Sequence, residues 1–390
     1  MTVRSVSILL VMLRCACLLS FFPTHLRAEL LFERVPISTV DEHYRWSTWP
    51  CVERLQDGRL FCVFSVHLKK AAATKLAVVG TFSSDHGRSW SKPAVLIDSD
   101  PELDYDPNIV VIGPRVLVTA TTTPPSHDKV LTTTRTVAIR SDDNAKSWSS
   151  PYEIPMGRNF TAGKISQGIV LRDGAVLFGY AWDTQLETEV ALTNESQVDE
   201  YAAAMISLDD GRTWTSGKGA TVKKRKDPTR RFAVNGLCEP ALVELSDGSV
   251  YLLGRTGHES LYECRSRDGG RSWSTPVASP LTGHNAPAVL CRFERVEGKK
   301  SGILVVWNNS PRNRWPLCVA ATFDDCRTWT RPREIAGVKG FQSSYPGCVQ
   351  ASDGTLVVTY HQQRPQGVFE ILSVRFDVEW LLAEGTERDS

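Results

Sequence analysis

The sequence lacks most of the signatures by which a chain of 390 residues declares its chemistry. It carries no excess charge: 45 Lys+Arg stand against 44 Asp+Glu, a formal net charge of +1, so nothing in it calls for nucleic acid as a partner. No two cysteines are spaced CxxC, and the 8 histidines form no HExxH, which argues against zinc; no metal is expected. Neither a GxSxG elbow nor a phosphate-binding glycine loop occurs, and no cofactor is expected. No segment reads as a long amphipathic helix, and past residue 22 no run is apolar enough to cross a membrane. At 42% hydrophobic and 23% charged the chain is neither disordered nor a small disulfide scaffold.

The first 28 residues stand apart. Residues 5–22 are apolar apart from serines and Arg14, follow Arg4 and end before a stretch from Pro23 to Ala28. This is the pattern of a secretory signal peptide cleaved after Ala28. An uncleaved anchor is the alternative, and Arg14 shortens the run below a comfortable span. Cleavage would remove Arg4, Arg14 and Arg27, leaving residues 29–390 with a net charge of −2 as an exported domain with no membrane span. It would retain Cys51, Cys62, Cys238, Cys264, Cys291, Cys318, Cys326 and Cys348; an even number permits disulfides in an exported chain without requiring them. Asn159, Asn194 and Asn308 head glycosylation sequons, which matter only in a host that glycosylates.

What is present is repetition. The octet Ser83-Ser-Asp85-His-Gly87-Arg-Ser89-Trp90 recurs as residues 207–214 and 266–273, with degenerate copies at 141–148 and 322–329. Their tryptophans are 56 to 66 residues apart. The pattern suits a tight turn in which Asp and Ser cap backbone amides, Gly takes positive φ and Trp packs inward. Between octets, apolar strands meet at Asp57-Gly58, Asp173-Gly174, Asp247-Gly248 and Asp353-Gly354, a strong hairpin signal. Two more hairpins, one turning at Gly113-Pro114 and one between Ala288 and Trp307, make six, and Trp380 falls where a sixth octet's Trp would stand. Six units of four short strands predict an all-β, six-bladed β-propeller forming one domain.

Turns at one end of a propeller place residues about eight positions away at the other. By that count Trp49, Tyr105-Asp106, Ile165 with Lys164 and Gln167, Glu239, Asn285 and Tyr345 precede the turns. Ser65 to His67, Ala181 to Asp183, Arg255, Asn308 to Arg314 and His361 follow them.

Asp-box octets on six blades resemble the sialidases (neuraminidases), from about residue 40 to the end. The octets mark a fold, so function rests on the axial residues. GLCEPALVELSDGSVYLLGR is similar to the sialidase segment holding a catalytic glutamate, here Glu239, and a carboxylate-binding arginine, here Arg255. SSYPGCVQASDG is similar to the segment holding the tyrosine nucleophile, here Tyr345. The pairing has a chemical reason. A sialic acid carries its carboxylate on the anomeric carbon, so a neutral phenol activated by a glutamate avoids the repulsion that a carboxylate nucleophile would meet. The resemblance implies a further arginine at Arg314 or Arg312, with Arg314 preferred, and Asp106 as a pocket group; the count from the turns adds Asn285 as a substrate-binding candidate.

Two departures stand out. Where the family places its first arginine, two residues before Pro50, this chain has Thr48; Arg45 lies three residues earlier. Residues 65–76, where the family carries an aspartate that protonates the leaving group, contain no Asp or Glu; Asp106, Asp104, Asp183 and His67 are the substitutes at hand. The basic stretch 223–226 with Arg230 and Arg231 reads as a solvated loop near the mouth. The resemblance implies an exported exo-sialidase acting on sialylated or other acidic glycans with retention. A propeller enzyme with other chemistry on an acidic sugar, and a glycan-binding propeller without turnover, remain as alternatives.

Overall fold

Alternating apolar residues on either side of an Asp-Gly pair make a hairpin, and here those hairpins form the inner strands of six antiparallel four-stranded sheets. The computed structural model describes residues 30–39, 44–68, 75–125, 134–155, 167–183, 200–222, 236–294 and 301–383. Blade 1 consists of strands Tyr44–Arg54, Leu60–Leu68, Lys75–Ser83 and Ala94–Ile97. Blades 2 to 5 follow in chain order over 103–154, 169–216, 238–282 and 289–336. Blade 6 takes three strands from 343–376 and its outermost strand, Phe32–Ser38, from the start of the described chain, with Phe32 opposite Phe376. The ring of blades is therefore closed by backbone pairing between the two ends of the chain, which leaves no blade short of a strand.

The turns are built as their chemistry dictates. Asp57, Asp173, Asp247 and Asp353 each accept the backbone N–H two residues on, at 2.9 to 3.1 Å, and the glycine between has φ of 83–90°. In the first octet Ser83 Oγ accepts from Gly87 N at 2.8 Å, while Asp85 accepts from Ser89 N at 2.9 Å and Ser89 Oγ at 2.6 Å. The other four octets repeat this pattern around Asp143, Asp209, Asp268 and Asp324. The degenerate copies keep the backbone without the glycine: Ala145 and Cys326 hold φ of 62° and 63°.

Each octet also reaches back to the preceding blade. The residue after its aspartate is left-handed, as at His86, Asn144, Asp210 and Asp325. Asn144 Oδ1 accepts from Gln56 N at 3.1 Å and Asp325 Oδ1 from Ser246 N at 3.0 Å, while Asp210 pairs with Arg115. His86 Nδ1 lies 2.8 Å from Asp353, joining blade 1 to blade 6. Six apolar clusters fill the spaces between neighbouring blades. Trp90, Trp148, Trp214, Trp273 and Trp329 pack against them half-buried. Trp380 fills the corresponding place in blade 6, from a short helix, Val378–Leu382, capped by Asp377.

The eight cysteines from Cys51 onward are all buried and unbridged. Asn308 is buried, donates to Ser343 O at 2.8 Å and accepts from Ser344 Oγ at 2.6 Å, so that sequon is closed to modification in the folded protein. Residues 1–28, Asn159, Asn194, Ile165 and the basic stretch 223–231 lie outside the described residues.

The octets set the acid limit of stability. At Asp85 and Asp268 partial burial opposes the charge and hydrogen bonds outweigh it, and at Asp209 and Asp324 those bonds lead; all four pKa values lie at about 2. The bonds to Ser147 and Ser141 lower Asp143 as well. A depressed carboxyl stabilises the fold above its unfolded pKa of about 3.9, and that stabilisation is lost as pH falls through the folded value. The melting temperature should therefore drop steeply between about pH 4 and pH 2. A variant with Asp209→Asn and Asp268→Asn should melt lower at pH 7 and show a shallower acid limb; an unchanged limb would contradict this origin.

Candidate active site at the axis

Trp49, Asp106, Glu239, Asn285 and Tyr345 share one backbone feature: φ of +43° to +55° at the inner edge of blades 1, 2, 4, 5 and 6. In blades 1, 2, 4 and 6 the residue sits at a register break in the first strand, directly before a proline. A left-handed conformation is costly for side chains with a Cβ, and a following proline restricts it further. Five blades adopt it at the same place, and in the four with a register break the bulge turns toward the axis a side chain that an unbroken ladder would leave in the sheet.

Three of these residues meet there with two arginines. Tyr345 Oη donates to Glu239 Oε1 at 3.2 Å. Arg255, from the second strand of blade 4, places Nη1 2.7 Å from Glu239 Oε2 and 3.4 Å from Tyr345 Oη. Asn285 orients both guanidinium groups. Its Oδ1 accepts from Arg255 Nε and Nη2 at 3.0 and 2.7 Å, and its backbone O accepts from Arg314 Nε and Nη2 at 3.1 and 2.8 Å. The Arg314 guanidinium lies over the Tyr345 ring, 5.3 Å from its centroid, with Nη1 reaching Gln342 at 3.5 Å. Arg312 is exposed, its backbone held by Ser310, so of the two candidate arginines Arg314 is the one at the tyrosine.

Asp106, buried, is close enough for its charge to bear on Tyr345, and His361 packs against the tyrosine ring at 5.1 Å. Asp104 is held away from the axis by Thr122 Oγ1 and Ser99 N, both at 2.6 Å. Thr48 is buried opposite Ser65 in the blade 1 ladder. The side chains of Arg45 and Asp183 lie outside the described residues.

Electrostatics keep the phenol neutral. Burial pushes Tyr345 up to about 12, the Glu239 charge adds to the rise, and Arg314 and Arg255 only partly offset it. Burial works against the Arg255 charge, but Glu239 and then Tyr345 outweigh it and hold its pKa above the usual arginine value. The result is a neutral phenol within reach of a carboxylate, beside two guanidinium groups whose planar forks match a carboxylate in geometry.

Sequence reasoning missed two features. One is an aromatic group: Trp49 lies 6.3 Å from Tyr345, 5.8 Å from Trp46 and 6.0 Å from Tyr105 between ring centroids, and His67 packs on Trp46 at 5.4 Å. The count of eight reached Trp49 and gave it no role. The other lies deeper on the axis, where Gln167 Nε2 donates to Glu53 Oε1 at 2.5 Å and to Cys348 O at 2.9 Å. Gln167 also lines a small cavity with Cys51, Pro287, Val289, Pro346 and Gly347. Burial lifts the Glu53 carboxyl to about 7 against the hydrogen bond from Gln167. A carboxyl raised in the fold stabilises it below the unfolded pKa, and that contribution is lost as pH rises through about 7. Glu53→Gln should abolish the decline in melting temperature between pH 5 and 8; a decline of unchanged size would exclude Glu53 as its source.

Among the described residues no group of three or more His, Cys, Asp or Glu is arranged to hold a metal ion, and no helix is long and apolar enough to cross a membrane. Residues 112–358 match the BNR repeat-like domain. A sialidase of Paraclostridium sordellii is 23% identical over 354 residues, covering 80% of each chain. Among solved structures, a Hadza microbial sialidase superposes with a TM-score of 0.68 at 18% identity over 88% of this chain and 68% of that one. A Trypanosoma rangeli sialidase in complex with the inhibitor DANA superposes with a TM-score of 0.66 at 16% identity, over 90% and 60%. At these identities the structural likeness speaks for the fold alone.

Proposed function

Because this chain belongs to the BNR repeat-like family and has the propeller of the sialidase superfamily, we propose that it is an exo-acting glycoside hydrolase releasing terminal sialic acid, or a related acidic sugar, with retention. The observation that carries this reading is the Tyr345–Glu239–Arg255 contact at the axis. The substrate carboxylate binds Arg255 and Arg314. Tyr345 Oη attacks the anomeric carbon as its proton passes to Glu239, and the aglycone leaves on the opposite face. Water then attacks the anomeric carbon and gives a proton to the carboxylate that protonated the aglycone, while the bond to Tyr345 Oη breaks and Glu239 returns its proton to the phenol. Asp106, the carboxyl whose charge bears on Tyr345, protonates the aglycone.

One observation favours a second reading. Residues 65–76 supply no acid, and a propeller that binds acidic glycans without cleaving them needs none. Incubation of the purified protein with an aryl sialoside between pH 4 and pH 8 separates the two. Release of the phenol is expected; no product at any pH, with retained binding of sialylated glycans, would select the binding module.

Export belongs to the same proposal and rests on the pattern of residues 1–28. Intact mass of the protein from its native host should place the N-terminus at or near Glu29.

A further inference from the structure

We propose that Trp49, Trp46 and Tyr105 form an aromatic wall that binds the aglycone through a flat apolar face. The proposal rests on the hydrolase reading, because that reading places the anomeric carbon at Tyr345. Trp49 occupies the same left-handed position as Asp106, Glu239, Asn285 and Tyr345, with φ of 54°. The four other residues at that position are polar, and three of them make the hydrogen-bonded site. A bulky side chain before a proline adopts this conformation only at a cost. Filling space beside the core does not require it, and turning a ring toward the axis does.

Among the described residues its aromatic neighbours also meet the ring differently from those of an interior aromatic. Trp182 is buried between Tyr180 and Tyr201 at interplanar angles of 28° and 13°. Trp49 is half-buried, and its neighbours Tyr105, Tyr345 and Trp46 meet it at 48°, 76° and 85°. Among the described residues no aromatic ring lies flat on it.

Its direction selects the part of the ligand it meets. The arginines stand on blades 4 and 5, and Trp49 and Tyr105 stand across the axis on blades 1 and 2. A carboxylate held by Arg255 and Arg314 leaves that side to other groups on the anomeric carbon. The leaving group departs from the face opposite Tyr345 Oη, toward the open mouth. Trp46, three residues before Trp49 on the same strand and farther from the hairpin turn, continues the wall in that direction. An aryl ring or the C–H face of a pyranose offers the apolar plane that an indole face accepts.

Three measurements on Trp49→Gly test this. Glycine relieves the left-handed strain, so the variant should melt no lower than wild type. Its KM should rise about 5- to 10-fold for an aryl sialoside and for a lactose-linked sialoside, on the scale of one aromatic contact. The inhibition constant of the aglycone-free 2,3-dehydro sugar should stay within about 2-fold, since only the aglycone contact is lost. A larger rise for the aryl substrate identifies an aryl aglycone as the better occupant, and a larger rise for the lactosyl substrate identifies a sugar. An unchanged KM, an inhibition constant that rises as far as KM, or a lowered melting temperature overturns the proposal. Uncleavable thio-linked sialosides read the wall without turnover. If they bind through Trp49 while nothing is hydrolysed, the hydrolase reading falls and the wall stands; if the wild type binds none of them, both fall.

Discussion

Tyr345→Phe is expected to leave a protein that folds and holds the acidic sugar but forms no covalent intermediate. The hydroxyl is the only group removed, and the ring keeps its contacts with Trp49, His361 and Arg314. Turnover should fall to background. Glu239→Gln keeps the shape and removes the base, and should lower turnover by about 10² to 10⁴. In the proposed mechanism Tyr345 and Glu239 act as one device across 3.2 Å, so their losses should not add: the double variant should be little worse than the poorer single one. Sugar binding, measured with the dehydro analogue, should survive Tyr345→Phe because both arginines remain. A Phe variant that keeps full activity, or one that unfolds, would make Tyr345 a packing residue.

Loss of Arg255 should be more damaging to binding and should also cost stability. Its guanidinium, 13% exposed, faces a Glu239 carboxylate that is 3% exposed. Arg255→Ala leaves that carboxylate in the interior without its cation, a change that costs about 3–5 kcal/mol for buried pairs. In the proposed mechanism the same substitution removes one fork of the carboxylate clamp, and kcat/KM should fall by about 10² or more, as for the truncation of one partner in a buried charge contact. Arg255→Lys separates the two effects. A lysine keeps a charge near Glu239 and should restore most of the stability, but it cannot bridge Glu239, Asn285 and the substrate at once. Melting curves and steady-state kinetics on both variants should therefore diverge. If Lys restores catalysis as fully as it restores folding, planar recognition is not what the residue supplies.

Much of this was legible before any coordinates because a propeller repeats its local chemistry. Hairpin turns and Asp-box octets are short-range signals, and six of one, four of them Asp-Gly, and five of the other fix the architecture. The count of about eight from each turn reached Trp49, Asp106, Glu239, Asn285 and Tyr345 because the left-handed residue stands at nearly the same distance from the hairpin turn in these blades. What escaped the sequence is long-range. The strand Phe32–Ser38 completes blade 6 by pairing with residues more than 300 positions away, and its own residues carry no sign of that partner. Trp380 was expected to stand in for a sixth octet's Trp; it fills that space from a helix, since packing fixes where a ring must lie and not which turn delivers it. Asn285 clamps one arginine with its side chain and another with its backbone carbonyl. Only the folded geometry shows that. Glu53 sits in an alternating strand like any solvent-facing residue until Gln167 is found across the axis.

The central claim is that the Tyr345 phenol is the nucleophile, and covalent trapping tests it most directly. A 2,3-difluoro derivative of sialic acid supplies a fluoride leaving group that departs with little protonation, so the trap does not depend on which residue acts as general acid. Its second fluorine slows hydrolysis of the intermediate. After incubation and proteolysis, mass spectrometry should find one fluorosugar on the peptide containing Tyr345, located by fragmentation to that residue, and none on Tyr345→Phe. Steady turnover of an aryl sialoside with no adduct, or an adduct on any other side chain, would contradict the account.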